Sequence, residues 1–413
     1  MRITYLTQSY PPMISGAAIS AQQTAEAMAQ RGHKVLVIAA SDTENAYHIY
    51  KDNLTVLRLH SFNNPLRVGQ RLIAYPRFKV MKTLSRFKPN IIHVHEPVQM
   101  GMLAQEYAKR AHIPIIITTH QLPWFVASYL PKPFKLIAEK ILWRYANIIL
   151  KRYTAIITPT HTISKIINRM TGFNTNVISY GTDTQTFHPP LLTEDKIAAR
   201  IRLNLPANFP IILHVGRLDT DKSVDKVIHA AAIVVRESET HLVIVGDGCQ
   251  KRRLIHLCRE LGIERKVHFT GFIPPANLPE VYRMANIFAI ASEIETQGIV
   301  LLEAAASGLP IVAVDATCIS EIVHDQFNGF LIKRGDIRRF SEALITLINN
   351  TENSSAMGLN GRTLANEHAI QQTWALHENL YQEMIKQSHQ EYARGNEKNF
   401  NPWKFMKIWI GLK

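Results

Sequence analysis

In the run SEIETQGIVLLEAAASGLPIVAVD, Glu295 and Glu303 stand eight residues apart with Gly298 between them. A strand reading IFAIAS leads into this loop, and a helix is predicted to open at Gly298 and to end near Gly308. A helix N-terminus presents unpaired backbone N–H groups, here those of Gly298, Ile299 and Val300. A residue without a side chain lets an anion approach them closely. Glu295 lies just before this terminus, and Glu303 about one and a half turns into the helix. One carboxylate can hold hydroxyls on one side of a bound diphosphate while the other holds hydroxyls on the far side. A nucleotide sugar has that order of groups, with sugar, diphosphate and ribose in series. Two glutamates beside a glycine also occur on any solvated helix, so a second cluster must support the reading. HVGRLDTDKSVD supplies it, placing Gly216, Arg217 and Lys222 directly after a strand of the same half. A guanidinium grips a diphosphate with two parallel bonds and an ammonium acts on it as a point charge.

Other groups carry weaker signals. His120 ends the strand IPIIITTH, where a packed strand-end histidine is the plain alternative. His93 and His95 alternate on one strand face without an evident third ligand, so a packed strand end is favoured over a metal pair. Asp219-Thr220-Asp221 spells the Asp-x-Asp motif seen in metal-dependent enzymes of a different fold. It falls inside the arginine–lysine loop and is read as solvated turn residues. No metal site and no bound cofactor are expected. Cys249, Cys258 and Cys318 are scattered, with neither a CxxC pair nor a zinc-ligand spacing.

The elements that must position these residues alternate short β-branched runs with helix-period stretches, the pattern of parallel sheets with crossover helices. The first half offers RITYLT, HKVLVIAA, LTVLRLH, NIIHVHE, IPIIITTH, AIITPT and NVISY as strands, with AISAQQTAEAMAQRG as a helix stopping at Gly32. After a Thr-, Pro- and Asp-rich break at 181–208 the alternation restarts with FPIILHVG, THLVIVGDG, KVHFTGF, IFAIAS, IVAVD and GFLIK. Two doubly wound, Rossmann-like α/β domains are predicted, 1–190 and 191–375, with a helical tail over 376–413. Sheets of this kind bind ligands at the carboxyl ends of their strands, so two facing domains make one deep cleft.

The net charge of +14 is unevenly placed. Residues 1–190 hold 22 Lys/Arg against 8 Asp/Glu, whereas 191–413 hold 25 of each. The basic half therefore faces something anionic, either nucleic acid or the anionic membrane leaflet. No nucleic-acid motif occurs, and the aromatic residues sit among aliphatic ones in helical stripes, not on a stacking platform. In RLIAYPRFKVMKTLSRFKPN, Arg71, Arg77, Lys79, Lys82, Arg86 and Lys88 interleave with Phe78, Met81, Leu84 and Phe87. In PKPFKLIAEKILWRYANIILKRY, Lys140, Arg144, Asn147 and Lys151 form a polar stripe, and Phe134, Ile137, Ile141, Tyr145 and Ile148 an apolar one. Basic amphipathic helices of this type lie in the interface of anionic membranes. The plain alternative is a crossover helix with its apolar face on the sheet. The opening MRITYLTQSYPP lacks the features of a secretory leader, and no apolar run is long enough to span a bilayer. A cytoplasmic protein held at the inner face of the membrane is expected. The final NFNPWKFMKIWIGLK fits a further interfacial anchor or a tail packed on the first domain.

Nearly the whole chain resembles the retaining GT-B glycosyltransferases of family four. The resemblance rests on YPPMISGAA, HVHEP, TTHQLP, YGTDTQTFHP, HVGRLDTDKSVDKVIHA, VIVGDG, FTGFIPPANLPEVYRMA and ETQGIVLLEAAASGLPIVA, met in that order. It implies that Glu295 contacts the donor sugar and Glu303 the ribose, and that Arg217 and Lys222 hold the diphosphate with the amides of Gly298 and Ile299. Gly271, Phe272 and Ile273 would line the nucleobase, Gly16 would approach the diphosphate from the other domain, and His120 would lie near the reacting sugar. The chain departs from the family in Ser15-Gly16-Ala17, where two glycines are usual, and in Lys222-Ser223, where glycine usually follows the lysine. A front-face displacement with retention is implied. The variant ETQG, where many relatives have EGFG, is similar to that of bacterial glucosyltransferases acting on diacylglycerol. It implies UDP-glucose as donor and diacylglycerol as acceptor. A phosphatidylinositol-type mannosyltransferase using GDP-mannose is the near rival, and a transferase for a soluble acceptor the next.

Overall fold

The computed structural model describes residues 1–13, 15–64, 71–74, 76–120, 122–127, 132–191 and 193–393. The tail NFNPWKFMKIWIGLK, which fits either an interfacial anchor or a segment packed on the first domain, lies outside them. The strands in chain order are β1 (Arg2–Leu6), β2 (Lys34–Ala40), β3 (Tyr47–Lys51), β4 (Leu54–Leu59), β5 (Ser61–Asn63), β6 (Arg71–Ile73), β7 (Ile91–Val94), β8 (Ile115–Thr118), β9 (Ala155–Thr158) and β10 (Asn176–Val177). The second half adds β11 (Ile211–Val215), β12 (His241–Val245), β13 (Val267–Gly271), β14 (Ile287–Ile290), β15 (Ile311–Val314) and β16 (Gly329–Ile332).

One sheet runs β10-β9-β8-β7-β1-β2-β4-β3 and the other β13-β12-β11-β14-β15-β16. Every pairing in them is parallel except β3 against β4. Both are doubly wound, and the strand order reverses between β1 and β7 in the first and between β11 and β14 in the second. The central strands are continuous aliphatic runs because helices cover both faces and leave no solvated side; all five residues of β11 are buried. The pleat sorts β1 and β2 between two cores. Leu6, Leu36 and Ile38 join the core on one face, and Ile3, Tyr5, Val35 and Val37 that on the other. The antiparallel edge strand β3 and the β5–β6 hairpin are additions to the strands read from the sequence. Four of the five residues of β3 are exposed, so no buried face leaves its mark on that segment.

The chain passes between the domains twice. Residues 178–190 lead out of the first sheet, and the helix Ile370–Ala393 returns to it. Leu380, Tyr381 and Met384 complete the core over β1 and β2, beside the helix Gly16–Gln30. The two passages are tied together, with Thr182 N–H donating to His368 O at 3.0 Å and Ile370 N–H to Thr182 O at 2.9 Å. Gly181 precedes that tie at φ +74°, and a Cβ there would stand 2.6 Å from Thr373 Oγ1. Only glycine fits both the left-handed backbone and the close approach.

Candidate active site

The loop carrying Arg217 and Lys222 follows β11, and the loop carrying Glu295 follows β14. These are neighbouring strands, with Leu213 paired to Phe288, on either side of the point where the strand order reverses. Topology therefore brings the two sequence clusters to one crevice. They touch there, with Lys222 Nζ 2.7 Å from Glu295 Oε1 and both side chains mostly covered. Arg217 is held from beneath by Asp219 and by Asp221, whose Oδ2 is 3.2 Å from Nη2. This corrects the reading of the acidic triplet as solvated turn residues, since the Asp221 side chain is only 5% exposed. The triplet shapes the cationic loop by pairing with its arginine, a role hidden by its likeness to a metal motif. Among the described residues no group of three or more His, Cys, Asp or Glu is arranged to hold a metal ion.

Local conformation explains the glycines. Gly246 has φ +133°, and a Cβ there would stand 1.9 Å from Gly216 O, so the loops after β11 and β12 pack backbone on backbone. Lys222 closes a short 3-10 turn, Thr220–Lys222, and Ser223 after it takes φ 47°. That left-handed position is the one where glycine usually follows the lysine in the family. The serine accepts a strain of about 1 kcal/mol there. Gly298 caps the helix Ile299–Ala306 at φ 77°, which leaves the first N–H groups of that helix at the crevice beside Glu295. Phe272 is exposed just past β13, while Ile273 beside it packs on the core.

Glu303 lies inside that helix and accepts a 2.7 Å hydrogen bond from the Tyr282 hydroxyl. Burial pushes its carboxyl from the ordinary 4.5 up to about 7, against the lowering effect of that hydrogen bond. The unfolded chain would ionise here from about pH 4.5, while the folded chain keeps its proton until about pH 7. The folded state binds more protons across that window, so stability falls as pH rises through it. Glu303→Gln removes the effect. The wild type is expected to lose up to about 3 kcal/mol relative to the variant between pH 4.5 and 7. Paired urea melts at pH 5 and 7.5 would show this, and parallel pH profiles would refute it.

The first domain contributes at the ends of β1, β7 and β8. Gly16 opens the helix Gly16–Gln30, whose N-terminus is capped by Ser15 Oγ accepting from Ala18 N–H at 3.1 Å. A Cβ on Gly16 would stand 3.6 Å from Ile299 Cδ1, so the two domains meet at these two helix starts. His120 sits against two protein partners, its Nδ1 2.8 Å from the Tyr180 hydroxyl and its Nε2 2.8 Å from His95 Nδ1. Burial holds His120 neutral, lowered to about 3, and lowers His95 well below its ordinary range. His93 is bonded to the hydroxyls of Tyr381 and Thr118, both at 2.7 Å. Glu96, in the run HVHEP, holds the segment just after β1. It accepts from Gln8 N–H at 2.9 Å and the Ser9 hydroxyl at 3.3 Å, and burial raises it to about 7.

The structure gives Thr296 and Gln297 work across the domain boundary. Thr296 O accepts from Thr160 Oγ1 at 3.0 Å, and the buried Gln297 amide bonds Tyr180 N–H and Ser179 Oγ. The ETQG variation thus sits at the joint between domains.

Of the residues expected to face a membrane, Lys79, Lys82, Arg86, Lys140, Arg144 and Lys151 are exposed. Arg77 is exposed but ion-paired to Glu106, and Arg71 is folded onto the β5–β6 hairpin through Ser61 and Asn63. The helix Arg77–Phe87 buries Val80 and Leu84 and packs Met81 and Phe87 on the core, leaving Phe78 79% exposed. The helix Lys132–Leu150 differs, since Phe134, Ile137, Ile141 and Ile148 all lie outward, Ile137 being 61% and Ile141 62% exposed. Its inward side is made by Trp143, Ile149 and Leu150, and Tyr145, read in the sequence as part of the apolar stripe, packs against this core instead of lying outward.

Residues 14–186 match the model "Glycosyltransferase Family 4", and residues 195–364 match "Glycosyl transferases group 1". The alpha-monoglucosyldiacylglycerol synthase of Acholeplasma laidlawii is 26% identical over 86% of this chain and 92% of that protein. The GDP-mannose-dependent alpha-mannosyltransferase of Mycobacterium tuberculosis is 28% identical over 85% and 89%. Among solved structures, Anabaena HepE in complex with UDP and glucose superposes with a TM-score of 0.73 at 21% identity, covering 92% of this chain and 99% of that one. The first match covers the first domain from the helix after β1 onward and the second covers the whole second sheet, and the chain belongs to the GT-B glycosyltransferases of family four.

Proposed function

We propose that this glycosyltransferase moves glucose from UDP-glucose to diacylglycerol at an anionic membrane surface, with retention of the anomeric configuration. The observation that carries the lipid half of this reading is the outward stripe Phe134, Ile137, Ile141 and Ile148, bordered by Lys140 and Arg144. An ordinary crossover helix buries its isoleucines, whereas a helix lying in a headgroup layer exposes them beside lysine and arginine. The net charge of the first half acts in the same direction. Among the described residues no helix is long and apolar enough to cross a membrane. Peripheral attachment at the cytoplasmic leaflet follows within this reading. The name of the Acholeplasma relative supports the acceptor, and the contents of the HepE crystal support the donor.

Chemically, Arg217, Lys222 and the N-terminus of the helix Ile299–Ala306 would neutralise the departing diphosphate, Glu295 would hold the sugar and Glu303 the ribose. Phe272 and Ile273 would border the base. Closure of the domains would exclude water and align the acceptor hydroxyl, whose proton the leaving diphosphate takes up. No metal enters this scheme, so turnover is expected to persist in excess chelator; complete loss would overturn that part. The decisive assay is a panel of UDP- and GDP-sugars with and without diacylglycerol vesicles. Transfer from UDP-glucose only when vesicles are present is expected. Transfer from GDP-mannose instead would favour the rival suggested by the mycobacterial relative.

A further inference from the structure

Gln297 lies two residues after Glu295 and one before Gly298, yet its amide reaches into the first domain. Its Oε1 accepts from Tyr180 N–H at 2.7 Å and its Nε2 donates to Ser179 Oγ at 2.6 Å, with the residue 1% exposed. Tyr180, itself 8% exposed, stacks its ring on His120 with centroids 5.4 Å apart, and its hydroxyl meets His120 Nδ1. His120 in turn stacks on His95 at 5.0 Å and meets it through Nε2. One hydrogen-bonded series therefore runs from the donor loop after β14 to the end of β7. It passes through Tyr180, within the segment 178–190 that leads out of the first sheet and one residue before Gly181. We propose that Gln297 and Tyr180 are positioning residues that tie the donor loop to His120, so that domain closure and the setting of His120 are one event. The proposal rests on the reading of these loops as the two walls of the transferase cleft.

The proton count gives the series its specificity. A neutral imidazole has one N–H and one acceptor nitrogen. When the phenol donates to His120 Nδ1, His120 Nε2–H must donate to His95 Nδ1, and His95 Nε2 then carries a hydrogen. When the phenol accepts, every bond in the series reverses. Tyr180 thus couples the tautomers of two buried rings, and Gln297 fixes where Tyr180 stands by holding its backbone N–H. His95 Nε2, the far end of the series, is buried without a partner among the described residues. Two further bonds close the same boundary away from His120. Glu321 accepts from His161 N–H at 2.9 Å and from Thr162 N–H at 2.5 Å, at the start of the helix His161–Thr171. Closure alone is therefore supported at a second point, whereas the tautomer of His120 depends on Tyr180.

The test uses full-length protein labelled with 15N at histidine, comparing wild type, Tyr180→Phe, Gln297→Ala and the double variant. Imidazole spectra without substrate are expected to show one tautomer for His120 and His95 in the wild type and averaged nitrogen shifts in each variant. With the nucleotide sugar that the wild type turns over, kcat is expected to fall about tenfold in each single variant and no further in the double. Affinity for the product nucleoside diphosphate should stay within about twofold. Unchanged imidazole spectra in Tyr180→Phe and Gln297→Ala, or losses that multiply in the double variant, would overturn the proposal. If Gln297→Ala does not fold, Gln297→Met keeps the volume and is held to the same outcomes. Because the spectra need no substrate, a mistaken donor or acceptor shows up in turnover while this arm still decides.

Discussion

Lys222→Ala is expected to lower kcat by about 10²–10³-fold, the loss seen when one preorganised donor to a developing anion is removed. The ammonium lies 2.7 Å from Glu295 Oε1 in a crevice that leaves its side chain 16% exposed. Its Coulomb interaction with a departing diphosphate is consequently far less screened than at an open surface. The charge on that diphosphate grows as the sugar leaves, so the interaction strengthens towards the transition state and the loss falls mainly on kcat. A second consequence follows for Glu295, which loses its ion-pair partner in a partly buried place. Glu295→Ala should therefore cost a similar factor, and the double variant should cost less than the product of the two, because each single change also strands the other group. Lys222→Arg keeps the charge but replaces a compact ammonium with a planar fork, so partial recovery is expected. Steady-state kinetics on the four variants, with thermal melts to confirm folding, give the answer. Activity of Lys222→Ala within about threefold of wild type would remove Lys222 from the site.

Much of the fold was legible because the sheets are parallel and buried. Runs such as KVLVIAA, HLVIV and IVAV leave few alternatives once helix-period segments separate them. The exposed edge strand YHIYK and the β5–β6 hairpin gave no comparable pattern, since neither buries a continuous face. In the candidate site, the charged groups were legible because a diphosphate demands cations and helix N–H groups in one place. The residues that hold those groups were not. Asp221 under Arg217, Tyr282 under Glu303 and Gln297 against Tyr180 act through partners 4, 21 and 117 residues away. Spacing along one chain carries no record of such pairings. The ETQG variation shows the limit well, because a likeness to relatives marks it in the sequence while its bonds to Thr160, Ser179 and Tyr180 exist only in the fold.

The outward stripe on the helix Lys132–Leu150 makes the other large prediction. Ile137→Glu with Ile141→Glu is expected to weaken binding to anionic vesicles by about 10²-fold or more. Each isoleucine is more than half exposed, so insertion into an acyl layer removes on the order of 60 Å² of apolar surface from water per residue, or about 1.5 kcal/mol. Two such losses give about 3 kcal/mol, and the added carboxylates are repelled by the leaflet. Neither side chain is part of the core of the first domain, so the melting temperature should barely move. Charge reversal at Lys140 and Arg144 separates the two contributions. It should weaken binding by about 1 kcal/mol for each lost cation, and only at low salt. The isoleucine effect should survive in high salt because apolar burial is not screened. Sedimentation with vesicles of graded anionic content, at two ionic strengths, distinguishes these outcomes. Equal binding of wild type and the isoleucine variant would mean that this helix faces something other than lipid. The basic stripe would then be left as an electrostatic surface without an apolar anchor.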